Sequence, residues 1–148
     1  LEGAGGASGG MMIREEHETH QNSYVSIITE SMFDDVFDTI HITEKSLRPF
    51  YFYQIPIIVS SYNHVKYMEQ EFGLDFYRDV VDHSYDEEPN QVIRLKKIAD
   101  EVKRLYQNKN QIIEFYKQNQ DRFEKNKQII ANLPNNDSDY KFFKTFLS

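Results

Sequence analysis

The sequence predicts an α/β protein with a short parallel sheet of about three strands, followed by a helical C-terminal segment. Two observations lead to this prediction. Before residue 90, short β-branched runs alternate with segments that begin at helix-capping residues, a pattern typical of strands joined by helical crossovers. After residue 90, apolar residues recur at steps of three and four, which indicates helices.

Three segments have the character of strands. Residues 23–29 (SYVSIIT) are rich in β-forming residues and are followed directly by Glu30. Residues 56–60 (PIIVS) are short, continuous and β-branched, as expected of a buried parallel strand. Residues 79–82 form a third and weaker candidate.

Two helices are predicted to connect these strands. Thr43 is a good N-cap for the first helix, which should end near Tyr53. Ser61 is the expected cap of the second helix, residues 62–72, and Gly73 suits the position just after its end.

The chain after residue 90 is predicted to be helical, following a polar loop at residues 83–90. Residues 108–110 should interrupt the helix, and residues 140–147 suggest a last short one. The predicted apolar stripe of the first of these helices consists of Val92, Leu95, Ile98, Val102 and Leu105.

The chain divides into three parts. Residues 1–10 (LEGAGGASGG) cannot bury apolar surface and look like a linker or cloning scar, so they are left out of the fold prediction. Residues 11–107 form the predicted α/β domain, and residues 108–148 form a helical C-terminal extension. Because three strands are few for a parallel sheet, this partial Rossmann-like, three-layer unit is expected either to be a fragment or to be completed by a partner.

The composition excludes several classes of function. A net charge of −7 disfavours binding to nucleic acid, which usually requires a basic surface. The absence of cysteine excludes disulfides, thiolate metal ligands and a cysteine nucleophile. No apolar run approaches the roughly 20 residues needed to span a bilayer, and no signal peptide is visible, so we expect a cytoplasmic protein.

Polar residues gather where the predicted strands end, which is where open parallel sheets bind ligands. The carboxylate of Glu30 could accept hydrogen bonds from a ribose diol. The helix that begins at Thr43, Glu44 and Lys45 offers N–H groups and a positive charge to a diphosphate, and Arg48 lies one turn further on. Spacing alone favours a simpler interpretation, a solvated capped helix with a surface Glu–Lys pair.

Other polar groups are explained more simply. His17 and His20 could hold a metal on a helix, but a solvated turn is the commoner explanation. The predicted loop at residues 31–41 carries Asp34, Asp35 and Asp38, which could bind a divalent ion or could simply be a solvated acidic loop. The sequence has no nucleophile elbow and no phosphate-binding glycine motif.

Four elements in order carry a resemblance to a known family. They are Glu30 after a strand, residues 42–45 (ITEK), residues 55–58 (IPII), and residues 82–86 (DHSYD) following residues 72–74 (FGL). Together they resemble the donor-binding region of glycosyltransferases with two facing Rossmann-like domains, and they are most similar to fucosyltransferase-like members.

The resemblance covers about residues 23–105 and implies a donor site. Glu30 and Glu44 would contact the donor sugar or ribose, and Lys45 would contact the diphosphate. Thr43 as the helix cap and Arg48 as a further positive charge, both taken from the predicted helix start, complete the predicted donor-binding set. The implied reaction moves a sugar from a GDP- or UDP-linked donor to the hydroxyl of a glycan or other acceptor, and no metal is required by the sequence.

The resemblance also implies what is missing. The upstream strands and the acceptor-binding domain are absent, so this part is expected to be inactive alone, and no general base is identified. Residues 47–51 (LRPFY) replace the small residues that the family often carries there, so the identity of the donor is not fixed by the resemblance. The alternative is a non-catalytic α/β interaction module that self-associates or binds a protein through its aromatic residues.

Overall fold

A computed structural model describes residues 22–31 and 40–133 of the chain. It contains two strands, one 3₁₀ helix and five α-helices within these residues. They are, in chain order, β1 (Val25–Thr29), α1 (Glu44–Tyr51), β2 (Ile55–Val59), α2 (His64–Phe72), the 3₁₀ helix (Ser84–Glu87), α3 (Gln91–Gln107), α4 (Lys109–Gln118) and α5 (Gln120–Ala131).

The sheet consists of β1 and β2, which pair in parallel and are joined by α1. The register runs from Val25 opposite Ile55 to Thr29 opposite Val59. This confirms the predicted α/β class and the first two strands. α1 packs against both strands, α3 packs against β2, and α5 covers α1.

The predicted third strand is wrong, because residues 79–82 form a turn. Val80 and Val81 are buried, but both N–H groups donate to the carbonyl of Tyr77 at 3.0 Å instead of entering a sheet. Two N–H groups of Arg122 hold the carboxylate of Asp79 at 2.8 and 2.9 Å. The sheet of the described residues therefore has two strands and not about three.

Helix α1 begins as predicted. The side chain of Thr43 accepts the N–H of Lys45 at 3.2 Å, the expected interaction of an N-cap. Pro49 lies inside the helix and is buried, and the helix ends at Tyr51, two residues before the predicted end.

Helix α2 begins two residues later than predicted, and its cap differs. Asn63, not Ser61, is the N-cap, and it has the left-handed φ of 61° that asparagine tolerates. The prediction for the other end is confirmed, since Gly73 terminates the helix with φ 68° and donates its N–H to Glu69.

The face that α3 buries is rotated from the predicted stripe. Ile98 and Leu105 are buried as expected, but Val92 is 79% exposed and Leu95 is 50% exposed. Arg94 and Glu101 take part in the buried face because each has polar partners. Arg94 donates to the carbonyl of Glu88, and Glu101 accepts from a main-chain N–H and from Arg104.

One hydrophobic core joins the sheet to the helices. Tyr24, just before β1, packs edge-to-face on Tyr116 of α4 with ring centroids 4.9 Å apart, so the C-terminal helices are part of the same body. The largest buried apolar members are Leu47, Phe50, Ile55, Ile57, Ile58, Met68, Phe76, Tyr77, Tyr85, Phe123 and Ile130.

The C-terminal extension is helical as far as it is described. The predicted interruption is confirmed at Asn108, which ends α3 and precedes α4. The predicted last helix at residues 140–147 lies outside the described residues, as do His17, His20 and the three aspartates of the predicted loop. No helix within residues 22–31 and 40–133 is long and apolar enough to cross a membrane.

Candidate functional site

The candidate site lies at the carboxyl edge of the sheet, where β1 and β2 both end. The N–H of Glu30 donates to the carbonyl of Val59 at 3.1 Å, which extends the ladder one residue beyond β1. Because its backbone is fixed in this way, Glu30 directs its carboxylate towards the first turn of α1.

The carboxylate of Glu30 is buried and fully engaged with α1. Glu30 is only 3% exposed. It accepts the Thr43 hydroxyl at 2.8 and 3.0 Å, the Thr43 N–H at 3.3 Å and the Ser46 hydroxyl at 2.5 Å. Since a buried carboxylate requires such donors, these bonds fix the start of α1 against the end of β1.

His64 continues this network to the end of β2. Its Nε2 lies 3.1 Å from the hydroxyl of Ser46, and its Nδ1 lies 2.9 Å from the hydroxyl of Ser60. Because the hydroxyl proton of Ser46 is given to Glu30, we assign the proton of the ring to Nε2. The hydroxyl of Ser60 then donates to Nδ1.

The ring of His64 is neutral at pH 7. Burial lowers the pKa of His64 to about 4, although the carboxylate of Glu30 acts in the opposite direction. The network from Glu30 through Ser46 and His64 to Ser60 therefore contains one carboxylate and no cation. It holds the starts of α1 and α2 at a fixed separation.

A second carboxylate, that of Asp86, occupies the start of α2. It accepts the N–H groups of Val65 and Lys66 at 2.9 Å each, and the Asp86 carbonyl accepts the N–H of Asn63 at 2.9 Å. Burial raises the pKa of Asp86, while the two backbone bonds oppose that shift. The N-terminus of α2 is thus compensated from within the chain.

The segment around Asp86 also fastens β2. The Tyr85 hydroxyl accepts the N–H of Ile58 at 3.3 Å and lies 2.8 Å from Nδ1 of His83. Nε2 of His83 lies 2.8 Å from the carbonyl of Phe76, so this nitrogen carries the proton and Tyr85 donates to the other. Burial lowers the pKa of His83 to about 4. Residues 82–86 therefore have a structural role beneath the candidate site.

The structure places the sequence-predicted site residues at one edge. Glu30, Thr43 and Lys45 are brought together, and Nζ of Lys45 lies 3.4 Å from the hydroxyl of Ser31. Glu44 and Arg48 lie on the first turns of α1, and both are half-buried.

Sequence reasoning missed Ser46 and His64. Ser46 lies one helical turn after Thr43, so both hydroxyls meet the same carboxylate. His64 lies four residues after Ser60, at the start of the helix that follows β2. These two spacings are the signal that could have identified Ser46 and His64. In each pair, a hydrogen-bonding residue at a strand end or helix start is followed by another three or four residues later.

The arrangement supports binding better than nucleophilic chemistry. Ser46 is fully buried, and Ser60 is 3% exposed, so neither hydroxyl is accessible to a substrate. Lys45, by contrast, carries a charge at the rim of this edge. Within residues 22–31 and 40–133, no three histidine or carboxylate side chains are grouped to hold a metal ion.

Comparison with protein-family models, with curated proteins and with solved structures finds no match for this chain. The functional interpretation therefore depends on the geometry of this edge and on the sequence motifs.

Proposed function

We propose that this chain is the nucleotide-sugar-binding part of a glycosyltransferase-type protein, built as a partial Rossmann-like unit. The observation that carries the proposal is the position of Lys45. Its backbone N–H donates to the side chain of the Thr43 cap, and its ammonium group lies 3.4 Å from the hydroxyl of Ser31, the residue that follows Glu30 at the carboxyl edge of the two parallel strands. Ligands of open parallel sheets bind at this edge.

The two helix starts at this edge differ in what they offer an anion. Asp86 already accepts two N–H groups at the start of α2. At the start of α1, Lys45 adds a full positive charge, and Arg48 lies one turn away. We therefore assign the diphosphate to the α1 side, where charge-assisted hydrogen bonds are available.

The two glutamates receive different roles in the proposal. Glu30 accepts hydrogen bonds from Thr43 and Ser46 and is buried, so it acts as a positioning residue that fixes α1. Glu44 is half-buried at the first position of α1 and is the carboxylate assigned to the ribose or sugar hydroxyls.

The reaction assigned to the whole protein is sugar transfer from a GDP- or UDP-linked donor to a hydroxyl acceptor. Lys45 and Arg48 would offset the charge that develops on the leaving diphosphate. The proposal assigns the acceptor site and the general base to a further domain, and it assigns no metal. It also takes the protein to act in the cytoplasm.

Isothermal titration calorimetry tests the proposal with GDP, UDP and their sugar conjugates as ligands. We expect one nucleotide to bind selectively, and Lys45→Ala to weaken its binding about tenfold or more, because a phosphate loses its cation. The matched control is Lys125→Ala, which removes an exposed lysine on α5. Unchanged affinity in Lys45→Ala, or no binding by the folded chain, would contradict the proposal.

A second candidate function is a non-catalytic interaction module. Its support comes from apolar side chains that remain exposed, above all Val92 at 79% and Tyr106 at 76%. Nucleotide binding discriminates between the two functions, since the interaction module requires none.

A further inference from the structure

The outer edge of β1 is a candidate interaction surface that is separate from the carboxyl edge. In the described part of the chain, β2 is the one strand that pairs with β1. The Tyr24 carbonyl and the Glu30 N–H bond to β2. Since backbone groups alternate along a strand, the N–H and C=O groups of Val25, Ile27 and Thr29 point to the opposite side.

The two strands differ sharply in how they bury equivalent residues. Ile27 lies opposite Ile57 in the register. Ile57 is fully buried, whereas Ile27 is 53% exposed. A large aliphatic side chain at the middle of a strand is normally covered by a neighbouring element.

An apolar cleft runs beside this edge. Its volume is about 590 Å³, and its walls come from β1 on one side and from α3 and α4 on the other. The apolar lining includes Val25, Ile27, Val102, Leu105, Tyr106 and Ile112. A volume of this size is sufficient for several apolar side chains of an additional strand paired with β1.

The exposed face of α3 continues the cleft. Val92, Leu95, Val102 and Tyr106 are separated by three, seven and four residues, so they share one side of the helix. Three of them are at least half exposed, at 79%, 50% and 76% for Val92, Leu95 and Tyr106. The cleft and this helical face form one apolar surface.

Three lysines border this apolar surface. Lys96 and Lys103 flank the apolar face of α3, and Lys109 lines the cleft, and all three are exposed. The exposed Asp100 lies between Lys96 and Lys103 on α3, so the border keeps an excess of positive charge on a molecule whose net charge is −7. Two copies that met through this face would bring like charges together, which disfavours a second copy as the occupant.

We propose that the outer edge of β1 binds an extended strand of another protein or domain, and that this strand carries acidic residues on either side of an apolar centre. The strand hydrogen-bonds to the outward groups of Val25, Ile27 and Thr29. Its alternate apolar side chains enter the cleft, and its acidic ends face Lys103 and Lys109. This is strand addition at a sheet edge, with charge complementarity setting the preference.

Fluorescence anisotropy with labelled synthetic peptides tests the proposal on the full chain. One peptide has the sequence Glu-Glu-Val-Thr-Val-Thr-Val-Glu-Glu, and the other has lysine in place of each glutamate. We expect the acidic peptide to bind at least about tenfold more tightly than the basic one, with the difference shrinking in high salt. An acidic peptide N-methylated at alternate amides should lose binding, because it cannot pair along β1.

Two sets of variants locate the binding. Ile27→Lys places a charge at the middle of the edge and should abolish binding of the acidic peptide. Since Ile27 is half exposed, this variant should unfold at nearly the same temperature as the parent protein. The double variant Lys103→Glu with Lys109→Glu should reverse the preference between the peptides, whereas Lys125→Glu should leave it unchanged.

Three results of the peptide-binding experiments would overturn the proposal. They are equal binding of the acidic and basic peptides, binding that survives both Ile27→Lys and N-methylation, and no binding of either peptide. If light scattering shows a dimer that Ile27→Lys dissociates, the edge belongs to a second copy and the proposed acidic partner is wrong. None of these results depends on nucleotide binding at Lys45.

Discussion

The carboxyl edge of the sheet and the outer edge of β1 contrast in how their groups are satisfied. At the carboxyl edge, the buried Glu30, Ser46, His64 and Ser60 find their hydrogen-bond partners within the chain. At the outer edge, Ile27 is left half exposed beside an apolar cleft. The contrast shows that the polar groups of the first edge are satisfied within the described residues, whereas those residues leave Ile27 at the second edge uncovered, which is where we propose that a partner strand binds.

The largest effect on stability should come from breaking the polar network at the carboxyl edge. Glu30→Ala leaves the hydroxyls of Thr43 and Ser46 without their acceptor, and we expect it to lower the free energy of unfolding by about 4 kcal/mol. Urea denaturation measures this loss. Glu30→Gln keeps the shape and part of the bonding and should lose less, and a change under about 1 kcal/mol in Glu30→Ala would contradict the account.

The two register partners provide a direct test of the contrast. Ile57→Ala removes a fully buried side chain from β2 and should cost about 3 kcal/mol, because it opens a cavity in the core. Ile27→Ala removes the half-exposed partner on β1 and should cost less than about 1 kcal/mol. Both values come from urea denaturation of the full chain, and equal costs would show that Ile27 is covered in solution.

Lowering the pH should reduce the free energy of unfolding, because the buried ring of His64 must then take up a proton. Its folded pKa of about 4 lies below the unfolded value of 6.5, so its contribution is fully present above pH 6.5 and is lost as pH falls towards 4. Between pH 7 and pH 5, we expect the parent protein to lose about 2 kcal/mol more than His64→Gln loses. Denaturation at the two pH values measures the difference, and parallel losses would indicate that the ring is not buried as neutral imidazole.

The smallest effect on stability should come from Lys45→Ala. Among the described residues, its ammonium group contacts the Ser31 hydroxyl at 3.4 Å, an exposed interaction, so the free energy of unfolding should change by less than about 0.5 kcal/mol. Thermal unfolding without ligand measures this change. A large loss would show that Lys45 is structural, and weaker nucleotide binding could then not be attributed to a lost phosphate contact.

The sequence allowed a correct prediction of the β1–α1–β2 unit because its signals are local. A threonine cap and short β-branched runs act within a few residues, and the structure has these elements within about two residues of the expected ends. Residues 79–82 were predicted wrongly because two adjacent valines suggest a strand. Their burial in a turn depends on Tyr77 and Arg122, and Arg122 lies far away in the chain.

Only part of the hydrogen-bond network at the candidate site could be predicted, because only some of its residues carry a local signal. Glu30 and Thr43 were identified because each directly follows a strand or precedes a helix. The contact between Ser46 and His64 joins residues 18 positions apart on different helices, and no local pattern encodes it. The buried face of α3 was predicted only in part, because Arg94 and Glu101 look solvent-exposed in sequence, although tertiary partners satisfy them.

Hydrogen–deuterium exchange with and without the nucleotide that binds is the most direct test of the central claim, that the start of α1 is a nucleotide site. The account predicts slower exchange in the first turn of α1, around Thr43 to Ser46, and unchanged exchange along β1. Protection confined to β1 or the α3 face, or no protection at saturating nucleotide, would contradict it.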